Sequence, residues 1–164
     1  MKLILATLLV AVGLSGCAMY QPVPSGYTGP VATVSDSGFS ENGAKAQLFV
    51  LLEVDGNAVP NSFKASAGAS YGSGFSLTTH IVDRQVPAKP MRVKLRASHT
   101  TGAPIHALFS QAIGAFFSVE GVVDFSPQPN GKYVVKGELK KEGSSVWIED
   151  TVTHQPVTQK ITQN

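Results

Sequence analysis

Gly68-Ala69-Ser70-Tyr71-Gly72 sets a serine between glycines two residues away on either side. In a strand–turn–helix setting, that spacing lifts a nucleophilic hydroxyl onto a sharp turn where it can attack an ester or amide. The chemistry needs a strand running into Ser70, a helix leaving it and a parallel sheet beneath. The flanks do not supply these: Lys64-Ala65-Ser66-Ala67 and Ser73-Gly74-Phe75 are a Ser/Gly/Ala stretch that reads as a flexible loop or edge segment. The stretch also lacks the Gly-Lys-Ser/Thr ending with which a phosphate loop grips nucleotide. Hydrolysis using Ser70 with a distant histidine and acid therefore stands as the weakest of the readings.

The histidines are His80, His99, His106 and His154. None has the i, i+4 partner of a helical metal site, and the single cysteine gives no second thiolate. A small-ligand or metal binder would have to assemble in space, for instance from His80, His99 and a carboxylate. No metal or other cofactor is expected on this pattern. Arg92, Lys94 and Arg96 alternate along one run and make a cationic stripe, a candidate surface for an anionic envelope partner. The same stripe can equally be a solvated face whose charges discourage edge pairing. Asp55 and Asp83 fall near turns, where Asp is common.

The elements that must position these residues read mainly as strands. Gly (16) and Pro (10) are frequent, which suits strands and turns better than helices. Leu48 to Leu52 is a continuous apolar run closed by Asp55-Gly56, the pattern of a strand buried on both faces. Phe75 to Val82 alternates loosely. Met91 to Arg96 alternates cleanly, with Met91, Val93 and Leu95 inward and the three cations outward. Phe117, Val119, Val123 and Phe125 share a face. Gln128-Pro129-Asn130-Gly131-Lys132 then predicts a tight hairpin with Gly131 in the left-handed position. It would place Asp124 opposite Lys136, Glu120 opposite Lys140 and Phe125 opposite Val135. Glu142-Gly143 predicts a second hairpin, with Leu139 opposite Val146 and Lys136 opposite Glu149. Between Ala103 and Gly114, apolar residues recur at three- and four-residue spacing, which predicts a short helix. About seven strands with long connections predict an antiparallel immunoglobulin-like β-sandwich over residues 31–161, with a tail at 162–164. The Val54-Asp55-Gly56 turn followed by alternating strands resembles small envelope sandwich domains of the PEGA type. That resemblance brings no site residues.

The first 17 residues carry a different message. Lys2 precedes an apolar run from Leu3 to Leu14, too short to span a bilayer core as a helix. Leu14-Ser15-Gly16-Cys17 follows and resembles the lipobox of bacterial lipoproteins. The resemblance implies that residues 1–16 are an export leader and that the Cys17 sulfur takes a diacylglycerol. Small residues before the cysteine would give a signal peptidase access to the bond, and in the family it resembles the amine so freed is usually acylated too. Several acyl chains anchor a protein without a transmembrane helix. Ala18, where Asp would retain the protein in the inner membrane, points by the same resemblance to the outer membrane, with the domain facing the periplasm. Residues 17–30, with Pro22, Pro24, Gly26, Gly29 and Pro30, read as the lipidated cysteine and an extended mobile tether.

Composition narrows the classes further. The 43% hydrophobic and 15% charged content is too apolar for a disordered chain. Thirteen Lys and Arg face eleven Asp and Glu, and Lys2 leaves with the leader, so no nucleic-acid partner is expected. The mature part is similar to uncharacterised proteobacterial envelope lipoproteins as a class. The expectation is an outer-membrane-anchored, non-enzymatic binding or structural module. Its partner would be an envelope protein or a cell-wall component.

Overall fold

The computed structural model describes residues 20–103, 107, 111–112, 114 and 116–163. The expected leader, Cys17 and most of the expected 103–114 helix lie outside the described residues, though Ala107, Gln111 and Ala112 are helical. The described strands are β1 (Val31–Ser35), β2 (Ser37–Asn42), β3 (Lys45–Val54), β4 (Asn57–Ala58), β5 (Asp83–Pro87), β6 (Met91–Thr101), β7 (Ser118–Phe125), β8 (Lys132–Glu138), β9 (Ser144–Asp150) and β10 (Ile161–Gln163). Helix α1 (Ser62–Ala69) lies between β4 and β5.

Alternation of apolar residues folds these strands into two stacked sheets. The first has the order β10-β9-β8-β1-β5, and the second β2-β3-β6-β7 with β4 on β3. Pairing is antiparallel throughout except between β1 and β8. Val34, Val86, Val135 and Ile148 of the first sheet meet Leu51, Val93, Leu95 and Val119 of the second in one closed core. Each such side chain contributes about 1.5–3 kcal/mol by leaving water. The molecule is a β-sandwich.

Asp36 sits where the chain crosses from the first sheet to the second, between β1 and β2, and is 2% exposed. The β2–β3 ladder stops at Ser37 opposite Phe49. The next inward-facing N–H, that of Leu51, donates instead to Asp36 Oδ1 at 3.0 Å. Oδ2 accepts from the Ser62 N–H and from the Ser62 hydroxyl, both at 2.8 Å. It also pairs with Arg84 Nη2 of β5 at 2.7 Å. The carboxylate thus replaces a missing ladder bond, satisfies an orphan donor at the start of α1 and neutralises a buried guanidinium.

Several expected elements are corrected. β7 and β8 do not pair: β7 lies against β6, with Asp124 opposite Arg92 and Glu120 opposite Arg96. Charge complementarity holds equally in both registers, so it could not choose between them. Pro127 and Pro129, which lack an N–H, carry the chain across to the other sheet, and the Tyr133 hydroxyl accepts the Gln128 N–H at 2.9 Å. Phe125 meets the Tyr133 ring edge-on across the core at 5.1 Å instead of facing Val135 along a ladder. Asn130, not Gly131, takes the left-handed conformation (φ 59°). The β8–β9 hairpin forms as expected but two residues displaced, with Lys136 opposite Trp147 and Gly137 opposite Val146. A shift of two keeps every side chain on its expected face. Residues 76–82 join no ladder, and α1 stands where a loop was expected. β3 is buried on both faces, as its apolar run requires.

Asp36→Ala leaves Arg84 buried without a counter-charge and is expected to cost about 3–5 kcal/mol in urea denaturation. The double change Asp36→Leu with Arg84→Met is expected to recover only the part due to the unpaired guanidinium, since the Leu51 and Ser62 N–H groups stay without their acceptor. Equal losses in both variants would show that the pair does not govern this junction.

Candidate functional site

Nothing in the composition of α1 gives it an apolar stripe. Asn61 caps it, its side-chain oxygen accepting the Lys64 N–H at 3.2 Å. Its buried row is Ser62, Ser66 and Ser70, four residues apart. Four helical residues rise about 6 Å, and two residues of extended chain advance about 6.6–6.8 Å. The serine row therefore matches an extended strand read at every second residue. The N–H groups of Thr78, His80 and Val82 donate to Ser70, Ser66 and Ser62 at 2.9, 2.8 and 3.0 Å. The Ser66 and Ser70 hydroxyls donate back to the His80 and Thr78 carbonyls at 3.4 Å. Segment 78–82 is satisfied by a helix instead of a neighbouring strand.

Held in this way, α1 lies over the outer face of β3, where Leu48 and Val50 are fully buried. Phe63 projects toward β6, and the Arg96 guanidinium stands 5.5 Å above its ring. Between α1 and the far end of β6 opens a cleft of about 530 Å³, lined by Phe63, Tyr71, Arg96, His99, Thr100 and Phe116 among others. Tyr71 is 93% exposed at its rim and Phe75 is 59% exposed nearby. The cleft combines aromatic faces, hydroxyls and one cation, a lining suited to an amphipathic ligand or protruding side chain.

His99 closes the inner wall. Its Nδ1 accepts the Phe117 N–H at 3.0 Å, and its Nε2 lies 2.9 Å from Glu41 Oε1. These two partners place the proton on Nε2, donating to Glu41. The rings of Phe116 and Phe117 flank the imidazole at 5.6 and 5.7 Å. Glu41 also accepts from Gln47 at 2.7 Å and pairs with Lys45 at 3.2 Å. Burial, followed by the Lys45 charge, lowers the His99 pKa, against the opposing pull of Glu41. Burial raises Glu41, but its bonds to Gln47 and Lys45 and the nearby His99 outweigh this and hold it low.

The residues singled out in the sequence fall in different places. Ser70 lines the cleft, yet its hydroxyl is engaged by Thr78, and both nitrogens of His99 are engaged by Glu41 and Phe117. No Ser–His relay is formed by these groups. His80 is exposed, on the segment paired to α1. Among the described residues no group of three or more His, Cys, Asp or Glu could hold a metal ion. The stripe of Arg92, Lys94 and Arg96 runs along the outer face of β6 and is matched by acids. Lys94 lies 2.9 Å from Glu120 and 3.4 Å from Glu53, Arg96 lies 3.8 Å from Glu120, and Arg92 is opposite Asp124 in the ladder. The bond to Glu120 and its charge, then those of Glu53, hold the Lys94 ammonium above its usual range. Sequence reasoning missed Phe63, Glu41 and Phe116, which reach His99 and Arg96 only through tertiary packing. The one available signal was the four-residue recurrence of Ser62, Ser66 and Ser70.

Comparison with protein-family models, curated proteins and solved structures finds no match for this chain. No helix among the described residues is long and apolar enough to cross a membrane.

A fluorophosphonate probe is expected to leave Ser70 unmodified; stoichiometric labelling there would overturn the structural assignment of its hydroxyl. The lowered His99 pKa means that the unfolded chain binds the proton more readily than the native one. This contribution is therefore complete above the ordinary value of 6.5 and is lost as pH falls through the folded value. Glu41 adds a further loss below its ordinary 4.5. Urea midpoints measured from pH 8 to pH 5 are expected to fall below pH 6.5, with His99→Gln flattening the slope. An unchanged slope in that variant would exclude His99 as the source.

Proposed function

We propose that the chain is the precursor of an outer-membrane lipoprotein whose β-sandwich is a non-catalytic binding module of the cell envelope. The observation that carries the anchoring is the order Lys2, apolar run, Leu14-Ser15-Gly16-Cys17, with Ala18 next. Two or three acyl chains on Cys17 make a stable attachment to one leaflet. The binding role is supported by the cleft between α1 and β6, which gathers Phe63, Tyr71, Arg96 and Phe116 from separate elements. Engagement of the Ser70 hydroxyl and of both His99 nitrogens by structural partners favours binding over hydrolysis. The ion pairs of Lys94 and Arg96 with Glu53 and Glu120 favour this cleft over the β6 stripe as the binding surface. Its occupant would be an envelope protein or a cell-wall component. A small periplasmic ligand is the second reading, favoured by the cleft volume of about 530 Å³, within the usual range for such sites.

Mass spectrometry of the native protein is expected to show Cys17 as a diacylglyceryl thioether at the new N-terminus, and Cys17→Ser to leave the leader attached. An unmodified thiol would refute the anchor. Gentle crosslinking in intact envelopes is expected to yield one discrete complex that Tyr71→Ala and Arg96→Glu both weaken. Recovery of monomer alone would count against a macromolecular partner.

A further inference from the structure

The described part of the stretch expected to be a tether, from Tyr20 on, touches the domain at Pro22 and Pro30, although most of its residues are exposed. Pro22 is buried. The Tyr27 N–H donates to the Pro24 carbonyl at 3.1 Å, and the Tyr27 hydroxyl to the Pro30 carbonyl at 3.2 Å. The Ala88 N–H donates to the Pro30 carbonyl at 2.8 Å, fastening this stretch to the end of β5. Tyr20, Pro22, Pro24 and Tyr27 line a crevice of about 120 Å³ with Val54, Pro87, Lys89 and Met91. All of these mark one end of the sandwich: the start of β6 and the end of β3.

Only three residue steps separate Cys17 from Tyr20. At 3.3–3.6 Å per residue they reach at most about 11 Å. A free chain from Cys17 to Pro30 would have reached about 45 Å by the same measure. The lipid on Cys17 therefore has to enter the bilayer within about 11 Å of this one end. The far end of β6, with the cleft, lies ten residue steps away, about 33 Å along the strand.

The chemistry of the near end suits a phospholipid surface. Lys89 and Lys132 are exposed there and enter no ion pair among the described residues. Two nearby carboxylates, those of exposed Asp55 and half-buried Asp150, are engaged by backbone donors. Asp55 accepts the Arg92 N–H at 2.8 Å, and Asp150 accepts the Val152 and Thr153 N–H groups at 2.8 and 2.9 Å. Val152 is 81% exposed beside Lys132, and Tyr20 is 37% exposed. Outward lysines, an exposed aliphatic and tyrosines are the residue types that settle at a headgroup layer.

We infer that this end of the sandwich, carrying Tyr20, Lys89, Lys132 and Val152, rests on the phospholipid leaflet. The domain stands end-on, and the cleft at the opposite end is presented away from the membrane. The inference rests on the lipid anchor proposed above and adds to it a fixed orientation with a three-residue leash.

The test uses the full-length acylated protein, in which Cys17 is blocked by lipid, so that an introduced cysteine is the one reactive thiol. Lys89→Cys and Val152→Cys at the near end, and Tyr71→Cys and Phe75→Cys at the far end, are each labelled with an environment-sensitive fluorophore. The proteins are reconstituted into phosphatidylglycerol–phosphatidylethanolamine vesicles containing a headgroup-spin-labelled lipid. Quenching is expected to be severalfold stronger at positions 89 and 152 than at 71 and 75. Inserting ten Gly/Ser residues after Ala18 is expected to reduce quenching at 89 and 152. Equal quenching at the two ends, while the protein still floats with the vesicles, overturns the seating alone. Failure of the wild-type protein to float with the vesicles overturns the anchor and the seating together.

Discussion

One buried carboxylate holds the junction on which the rest of the molecule depends. Asp36 lies at the corner where the chain leaves one sheet for the other, and its two oxygens gather donors from β3, α1 and β5. A corner of this kind leaves backbone groups without ladder partners, and burying them unpaired is costly. The carboxylate answers that cost locally. Its negative charge is in turn tolerable because Arg84 and the start of α1 are positive. Removing one member exposes the others to an uncompensated interior, so the corner, the helix and the edge strand stand or fall as a unit.

From that corner the serine row extends the same logic. Ser62 belongs both to the Asp36 cluster and to the row that receives Val82, His80 and Thr78. A short helix rich in Ser and Gly has little intrinsic stability. It is kept in register because its four-residue repeat coincides with the two-residue repeat of an extended chain. The position of Phe63 over β6, and hence the wall of the cleft, follows from this match. The Arg96–Phe63 stacking and the His99–Glu41 bond complete the lining from strands that are distant in sequence.

The two ends of the sandwich differ in character. One receives the N-terminal stretch and carries outward lysines beside carboxylates engaged by backbone donors. The other carries the cleft, an exposed tyrosine and a titratable histidine. The flat face between them bears cations and anions in alternation, which leaves little net field along the sides. Loops from several strands converge at the two ends, the places where a rigid scaffold commonly carries its binding residues.

The sequence by itself determined whatever depends on local pattern. The order of Lys2, the apolar run and Leu14-Ser15-Gly16-Cys17, the burial of Leu48 to Leu51 on both faces of β3, the outward face of Arg92, Lys94 and Arg96 and the existence of the β8–β9 hairpin are all carried by neighbours within a few residues. Side-chain facing survived even where the hairpin register moved, because a shift of two preserves the strand's alternation. Tertiary structure alone decided which strands pair. Asp124 and Glu120 find cations equally well on β6 or on β8, so local charge could not choose, whereas enclosing the core between two sheets could. It also decided that residues 62–69 are a helix, since their buried face is made of hydroxyls and becomes stable only once segment 78–82 supplies the donors. The pairing of Asp36 with Arg84, 48 residues apart, and the meeting of Glu41 with His99 leave no trace in spacing. They exist because closing the sandwich removes water from groups that must then find one another.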